Sequence, residues 1–285
     1  MGFLSKDKIK QRRQDRRERR KIRLANAVGT YNDLMDEGQE RMKRVVEEGP
    51  SLRRREERIV RRHERVLVVF SEFIEENENK KIKERLYGFI EKSGIALPYA
   101  ICRVAYDRII TVTGSGATLT EHTETLGDAL SDADVDEVDL IWHGHGVEKE
   151  GGGTKYSMGG GYVTRSDICA AIDGLNADDR LRMFYTTACY GAALAEEMVD
   201  AGFSVGAGAI AVNTNSTIEF PLFLKNWAAG MPFGLALADG FKQSRWRATD
   251  HSIKILAQGT VLADTDSVKE TFGDRATNIR SNGDF

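Results

Sequence analysis

The chain of 285 residues is long enough for one domain of ordinary size with an extension, and its hydrophobic content of 41% can build a real core. No apolar run approaches the roughly 18 residues of a membrane-spanning helix, and no signal-peptide-like segment follows the first residues, so we expect a cytoplasmic protein without a transmembrane segment. The three cysteines, Cys102, Cys169 and Cys189, are odd in number and lack CxxC spacing, which argues against a disulfide framework or a structural zinc site.

The net charge of −3 hides an asymmetry between the two parts of the chain. Residues 1–65 contain 21 Lys and Arg against 12 Asp and Glu, whereas the remaining chain contains 20 against 32. The basic residues concentrate in Lys6–Arg23, a stretch with too few apolar positions to bury a face. This stretch could contact nucleic acid or an anionic surface. A solvated helical tail explains it equally well, because no aromatic residues are interleaved for base stacking. We interpret 1–62 as a basic helical extension.

From residue 64 onward, short apolar runs alternate with amphipathic stretches, a pattern that predicts alternating strands and helices. The predicted strands are Arg65–Phe70, Arg108–Thr113, Val138–Trp142, Leu181–Ala188 and Ser204–Val212. The predicted helices are Asn79–Ser93 closed by Gly94, Leu119–Leu130, a helix capped by Thr164, Ala192–Ala201, a helix over Pro221–Ala229 with Pro221 in its first position, and Gly234–Gln243. Such alternation predicts an α/β fold with a mainly parallel sheet covered by helices on both faces.

The remaining segments are rich in glycine or polar residues. Gly151–Gly153 and Gly159–Gly161 predict a mobile connection, which is either a simple loop, a flap beside a cleft or a site of activating self-cleavage at Lys149, Lys155 or Arg165. Ser252–Leu256 and Gly259–Leu262 predict a pair of edge strands. Residues 266–285 predict a polar, loosely ordered tail.

Two of the apolar runs end abruptly in a reactive side chain followed by glycine. Asp139–Gly146 has the sequence DLIWHGHG, and Leu181–Gly191 has the sequence LRMFYTTACYG. Parallel sheets gather their chemistry at the carboxyl ends of strands, so a histidine of the first run and Cys189 of the second can meet. A histidine supplies the base and the positive field that convert a thiol to a nucleophilic thiolate, and a helix beginning near Ala192 would lower the pKa of that thiol further. The two runs therefore predict a Cys-His hydrolase.

In these runs the chain resembles the caspase-like cysteine peptidases, which include caspases, metacaspases, gingipains, clostripain and the separase-type proteases. A strand followed by Trp-His-Gly-His-Gly and a later strand ending in Ala-Cys are similar to the histidine and nucleophile segments of that family. The resemblance extends over about residues 64–265 and implies a three-layer caspase-like peptidase domain there. It implies a thiol protease that hydrolyses peptide bonds in protein substrates without a cofactor or a metal, and it makes 1–62 either a pro-segment or a module that binds an activating protein partner.

The resemblance also implies roles for single residues. His145 corresponds to the catalytic histidine and Cys189 to the nucleophile, and the backbone N–H groups of Gly146 and Cys189 would form the oxyanion hole. His143 would belong to the core or support the site from behind. The alternative of a metal site is disfavoured, because a His-x-His-x-Asp-His run is absent.

A substrate pocket is implied at Glu72, Thr187 and Asn213. Relatives that cleave after Arg or Lys often carry an acidic residue two positions before the cysteine, where this chain has Thr187. Glu72 follows the first strand, where relatives build part of the pocket, and together with the acidic body of the chain it weakly favours basic substrates.

Two other functions fit the same residues. The chain could be a catalytically silent caspase-like binding protein whose basic arm contacts nucleic acid, lipid or a partner. It could also transfer an acyl group to a substrate that is not a peptide, because that reaction would use the same Cys-His pair.

Overall fold

The structure is a computed structural model, and it describes residues 64–72, 94–148, 153–177, 179–256 and 264–279. The basic extension 1–62, the predicted helix Asn79–Ser93 and the predicted strand Gly259–Leu262 lie outside the described residues. In the part of the chain that is described, no helix is long and apolar enough to cross a membrane.

A six-stranded sheet forms the centre of the fold. Its strands are β1 (Glu64–Glu72), β2 (Arg108–Thr113), β3 (Val135–Gly144), β7 (Leu181–Thr186), β8 (Val205–Ala209) and β9 (Lys269–Gly273). They lie in the order β2-β1-β3-β7-β8-β9, and every neighbouring pair is parallel except β8 and β9. The first five of these strands confirm the predicted ones, with ends that differ by a few residues.

The helices are α1, whose described part is 94–102, α2 (Leu119–Ser131), α3 (Arg165–Asp173), α4 (Ala192–Asp200), α5 (Ser216–Ala228), α6 (Phe233–Ser244) and α7 (Trp246–Leu256). Alternate residues of β1 belong to different apolar clusters: Leu67 packs with residues of α1, α5 and α6, whereas Val68 packs with residues of α2, α3 and α4. Since successive strand side chains point to opposite faces, helices cover both faces of the sheet, as predicted.

The predicted caps are confirmed in part. Thr164 accepts a hydrogen bond from Asp167 N and begins α3, with the Asp167 side chain bonded back to Thr164 N in a capping box. Gly94 does not close a helix, because the described helix runs from residue 94 to residue 102. Pro221 is not a first helical residue either, because α5 begins earlier, at Ser216. Thr217, Ile218 and Phe220, in the first turns of α5, are buried, so tertiary packing stabilises the helix before Pro221.

Three further predictions, about a loop, an edge strand and the tail, are wrong. The glycine-rich stretch forms a second, antiparallel sheet of β4 (Gly146–Glu148), β5 (Thr154–Met158) and β6 (Gly161–Thr164). The predicted strand Ser252–Leu256 is the end of helix α7. The loose tail expected from residue 266 contains β9, which pairs with β8 along its whole length. β9 is ordered because all five of its residues pair with β8 and Phe272 packs against an apolar cluster of the core.

Candidate active site

The two sequence motifs meet at the carboxyl ends of two neighbouring central strands. Strands β3 and β7 are neighbours, and beyond the end of β7 the Thr187 N–H still donates to the carbonyl oxygen of Trp142 at 3.0 Å. Gly146 approaches Cys189 so closely that a Cβ atom on this glycine would lie 1.9 Å from the Cys189 carbonyl oxygen. The residue after His145 therefore touches the backbone of Cys189, although 44 positions separate His145 from the cysteine in the sequence.

The backbone of His145 is fixed by Ser157 of β5. The Ser157 hydroxyl accepts from His145 N at 3.0 Å, and Ser157 N donates to the His145 carbonyl oxygen at 2.9 Å. The same hydroxyl donates to the carbonyl oxygen of Glu72, the last residue of β1, at 3.3 Å. The His145 side chain itself is partly exposed, beyond the end of β3 at Gly144. The second sheet therefore fixes the backbone position of the residue that carries this imidazole.

Cys189 lies in a tight turn between β7 and α4. Its Sγ accepts from Asn213 N at 3.4 Å, and its side chain is only partly buried. The next residue, Tyr190, has a left-handed φ of 55°, a conformation that costs energy for a residue with a side chain. Hydrogen bonds hold it there, since Tyr190 N donates to Ala211 O at 2.9 Å and Tyr156 Oη donates to Tyr190 O at 2.9 Å. Strained backbone held in this way next to a thiol is typical of functional sites.

Burial raises the pKa of the Cys189 thiol, which is opposite in sign to the effect expected from the N-terminus of α4. The Asn213 N–H, the charge of Lys269 and the backbone N–H of Cys189 itself act against that rise. Among the other cysteines, Cys102 is fully buried and burial strongly raises its pKa. Burial, with Glu197 as the next cause, raises the pKa of Cys169 to about 12. The charge of Arg165 acts against the rise at Cys169, whereas burial and the charge of Asp139 both raise the pKa of Cys102.

His143 points to the other face of β3 from Trp142. Its ring meets Phe220 of α5 edge-on at 4.6 Å, whereas Trp142 packs against Phe70. Nδ1 of His143 lies 3.0 Å from Thr187 Oγ1. Burial, and then the charge of Lys269, lower the pKa of His143 to about 3. The ring is therefore neutral at physiological pH and forms part of the packed support of the site.

A small pocket opens beside this pair. It is lined by Gly94, Leu97, His143, Thr187, Ser216, Thr217, Phe220 and Pro221. Of the three residues predicted for a substrate pocket, Thr187 lines this one. Asn213 does not line the pocket, although its side-chain amide donates to Thr187 O at 3.0 Å. Glu72 is buried at the end of β1 and does not line the pocket.

Three residues of the site were not identified from the sequence: Ser157, Tyr190 and Lys269. Ser157 stands in a stretch that glycines marked as a loop, and Lys269 stands in the predicted tail. The charge of the buried Lys269 lowers the pKa of both Cys189 and His143. No pattern in the sequence around Lys269 indicates this role. Among the residues that the structure describes, no three His, Cys, Asp or Glu side chains form a group that could hold a metal ion.

Comparison with protein-family models gives no match for this chain, and comparison with curated proteins gives no match either. The case for a function therefore depends on the arrangement of the residues themselves.

Proposed function

We propose that the protein is a caspase-like cysteine endopeptidase that hydrolyses peptide bonds through His145 and Cys189. The observation that carries the proposal is the close approach of Gly146 to the Cys189 backbone, which brings the two motifs together at the carboxyl ends of β3 and β7. Open α/β sheets bind their ligands at that edge, near the point where the strand order reverses. Here the order reverses between β1 and β3, and the site lies beside the end of β3.

The reaction needs only side chains and backbone groups of this chain. The thiol proton of Cys189 passes to His145, and the sulfur attacks the carbonyl carbon of the peptide bond. Backbone N–H groups at Gly146 and Cys189 are the proposed donors to the oxyanion. The C–N bond breaks as His145 returns the proton to the leaving amine. Water then hydrolyses the thioester and regenerates the thiol.

The pocket beside His143 and Thr187 is the candidate site for the side chain that precedes the scissile bond. No carboxylate is among the described residues that line it. It therefore gives no support to the preference for basic substrates that Glu72 and the acidic body suggested. A fluorogenic peptide panel should compare Arg, Asp and Ala at that position, because the three outcomes separate a basic, an acidic and a small neutral preference.

The proposal is tested by turnover per folded molecule of the full chain on that panel. Cys189→Ala and His145→Ala should each lower turnover by at least about 100-fold, the lower end of what a positioned acid–base group contributes. Cys169→Ala and His251→Ala are matched controls and should keep the wild-type rate. Cys169 lies in α3 and His251 in α7, both outside the site.

His143→Ala decides which histidine is the base. We expect this variant to lose mainly stability, by about 1–3 kcal/mol for a buried hydrogen-bonded group. If His143→Ala were well folded but inactive while His145→Ala turned over normally, the base would be His143. Inactivity of the wild-type chain on every peptide would contradict the peptidase proposal and favour a binding protein or an acyl transferase.

A further inference from the structure

Strand β9 brings one cation, Lys269, towards the thiol site. β9 pairs antiparallel with β8, and the residues after β8 continue the contact with the residues before β9. Ile210 N donates to Val268 O at 2.9 Å, and Thr214 N donates to Ser267 Oγ at 2.9 Å. The same segment after β8 supplies Asn213 N, which donates to Cys189 Sγ at 3.4 Å. The residues before Lys269 therefore support the loop that holds the sulfur.

The Lys269 side chain lies inside the protein rather than in solvent. Its side chain is 1% exposed, and Nζ is 5.1 Å from the centroid of the Tyr185 ring in β7. Nζ is 3.5 Å from Glu219 Oε2, which also accepts a hydrogen bond of 2.5 Å from the Tyr185 hydroxyl. Among the described residues, Nζ has no hydrogen bond of good geometry. Burying an ammonium group beside one loosely paired carboxylate lowers the stability of the fold, which suggests that Lys269 has a role other than stabilising the core.

We propose that Lys269 is a positioning residue of the active site, whose buried ammonium group stabilises the Cys189 thiolate electrostatically. This inference rests on Cys189 being the nucleophile of the proposed function. It names a residue that supplies the positive field from within the core, through a strand far from both motifs in the sequence.

The charged and titratable groups around Lys269 agree in direction with this role. Burial lowers the pKa of Lys269, and the carboxylate of Glu219 is the largest influence that raises it again, followed by Cys189 and by Asp250 of α7. In return, the Lys269 charge lowers the pKa of Cys189 and that of His143. Asp250 is itself engaged by Ser267, to which its Oδ1 is bonded at 2.7 Å. The buried charge of Lys269 thus interacts with both the Glu219 carboxylate and the Cys189 thiol.

The test is the pH dependence of alkylation of Cys189 by iodoacetamide in the full chain, measured by mass spectrometry of the Cys189 peptide. Lys269→Met should move the midpoint of the rate profile upward by about one pH unit, which corresponds to about tenfold less thiolate at neutral pH. Lys269→Arg keeps the charge and should retain most of the wild-type midpoint. Lys242→Met removes an exposed lysine of α6 and is the matched control, with no expected change.

Lys269→Met leaves Glu219 buried beside the site, so a second variant separates the two charges. The double variant Glu219→Gln with Lys269→Met removes both members of the pair and no longer buries an unpaired charge. It should show the same upward shift as the single variant. An unchanged midpoint in either lysine-free protein overturns the inference, because the ammonium group would then have no effect of its own on the thiol.

The alkylation experiment tests the role of Lys269 separately from the peptidase activity. Thiol titration needs no substrate, so a shifted midpoint in a chain that cleaves no peptide would leave the Lys269 inference standing and remove the peptidase. Normal peptide turnover with an unshifted midpoint would support the peptidase and overturn the role of Lys269. In an active enzyme, the lower pH limb of kcat/KM should move with the alkylation midpoint.

Discussion

Two buried histidines, His122 and His143, give the protein a specific vulnerability to acid. The ring of His122 in α2 lies edge-on to Phe70 and to Trp142, with centroids 5.1 Å away in each case. Neither ring nitrogen of His122 has a hydrogen-bond partner among the described residues. Burial lowers the pKa of each of these histidines to about 3. Both rings therefore stay neutral in the folded protein at pH values where an unfolded chain would protonate them.

We expect the free energy of unfolding to fall as the pH drops from about 6.5 towards 3. A group whose pKa is depressed on folding binds more protons in the unfolded state, so its effect is absent above the unfolded pKa and grows below it. Between pH 7 and pH 5 each of the two histidines should cost about 2 kcal/mol. His122→Leu should remove about half of this acid sensitivity, measured by denaturant unfolding at the two pH values.

The matched control for that experiment is His251→Leu, which changes an exposed histidine of α7. It should leave the slope of stability against pH as in the wild-type chain. A slope that His122→Leu does not reduce would contradict the assignment of His122 as a neutral buried ring.

At the scale of elements, the site depends on how closely the turn after β3 meets the turn after β7. Gly146→Ala would place a methyl carbon 1.9 Å from the Cys189 carbonyl oxygen, a backbone atom that no side-chain rotation can move away. The two turns must separate, which should cost about 1–3 kcal/mol of stability. A displacement of about 1 Å at reacting groups can cost about 100-fold in rate, so we expect peptide turnover to fall by that factor.

Gly116→Ala is the control for this prediction. A Cβ atom at Gly116 would meet nothing within 4 Å, so the same chemical change should leave stability and turnover nearly unchanged. Full turnover by Gly146→Ala would show that the contact between the turns does not set the geometry of the reaction.

At the scale of the whole molecule, the described sheet and both apolar clusters are built from residues 64–279. We expect a chain that begins at residue 63 to melt cooperatively, as a single transition near that of the full protein. Removal of residues 1–72 should instead abolish folding, because β1 pairs with both β2 and β3 and its six residues from Arg65 to Phe70 are buried. Differential scanning calorimetry of the two truncated chains checks this.

If the shorter truncation melted without cooperativity, the basic extension would belong to the core. If it melted normally and raised peptide turnover, the extension would be inhibitory, as a pro-segment is.

The sequence by itself determined the order and type of the elements wherever an apolar run was long enough for its periodicity to distinguish a strand from a helix. It predicted β1, β2, β3, β7 and β8, Thr164 as the N-cap of α3, and helices on both faces of the sheet, because each of these depends on a pattern within about ten residues. It also identified the histidine and cysteine motifs at strand ends. The resemblance to caspase-like peptidases was drawn from those motifs alone.

Only the tertiary structure decided which distant segments join the site. The residues of β9 are polar, and their place at the sheet edge is fixed by pairing with β8, which no local pattern encodes. Ser157 contacts His145 because the three short strands β4, β5 and β6 fold into an antiparallel sheet. The Lys269 side chain lies in the core, where its ammonium group contacts the Glu219 carboxylate and the Tyr185 ring. Contacts of this kind depend on the folded arrangement of several elements, so the physical reason they escape the sequence is that none of them is local.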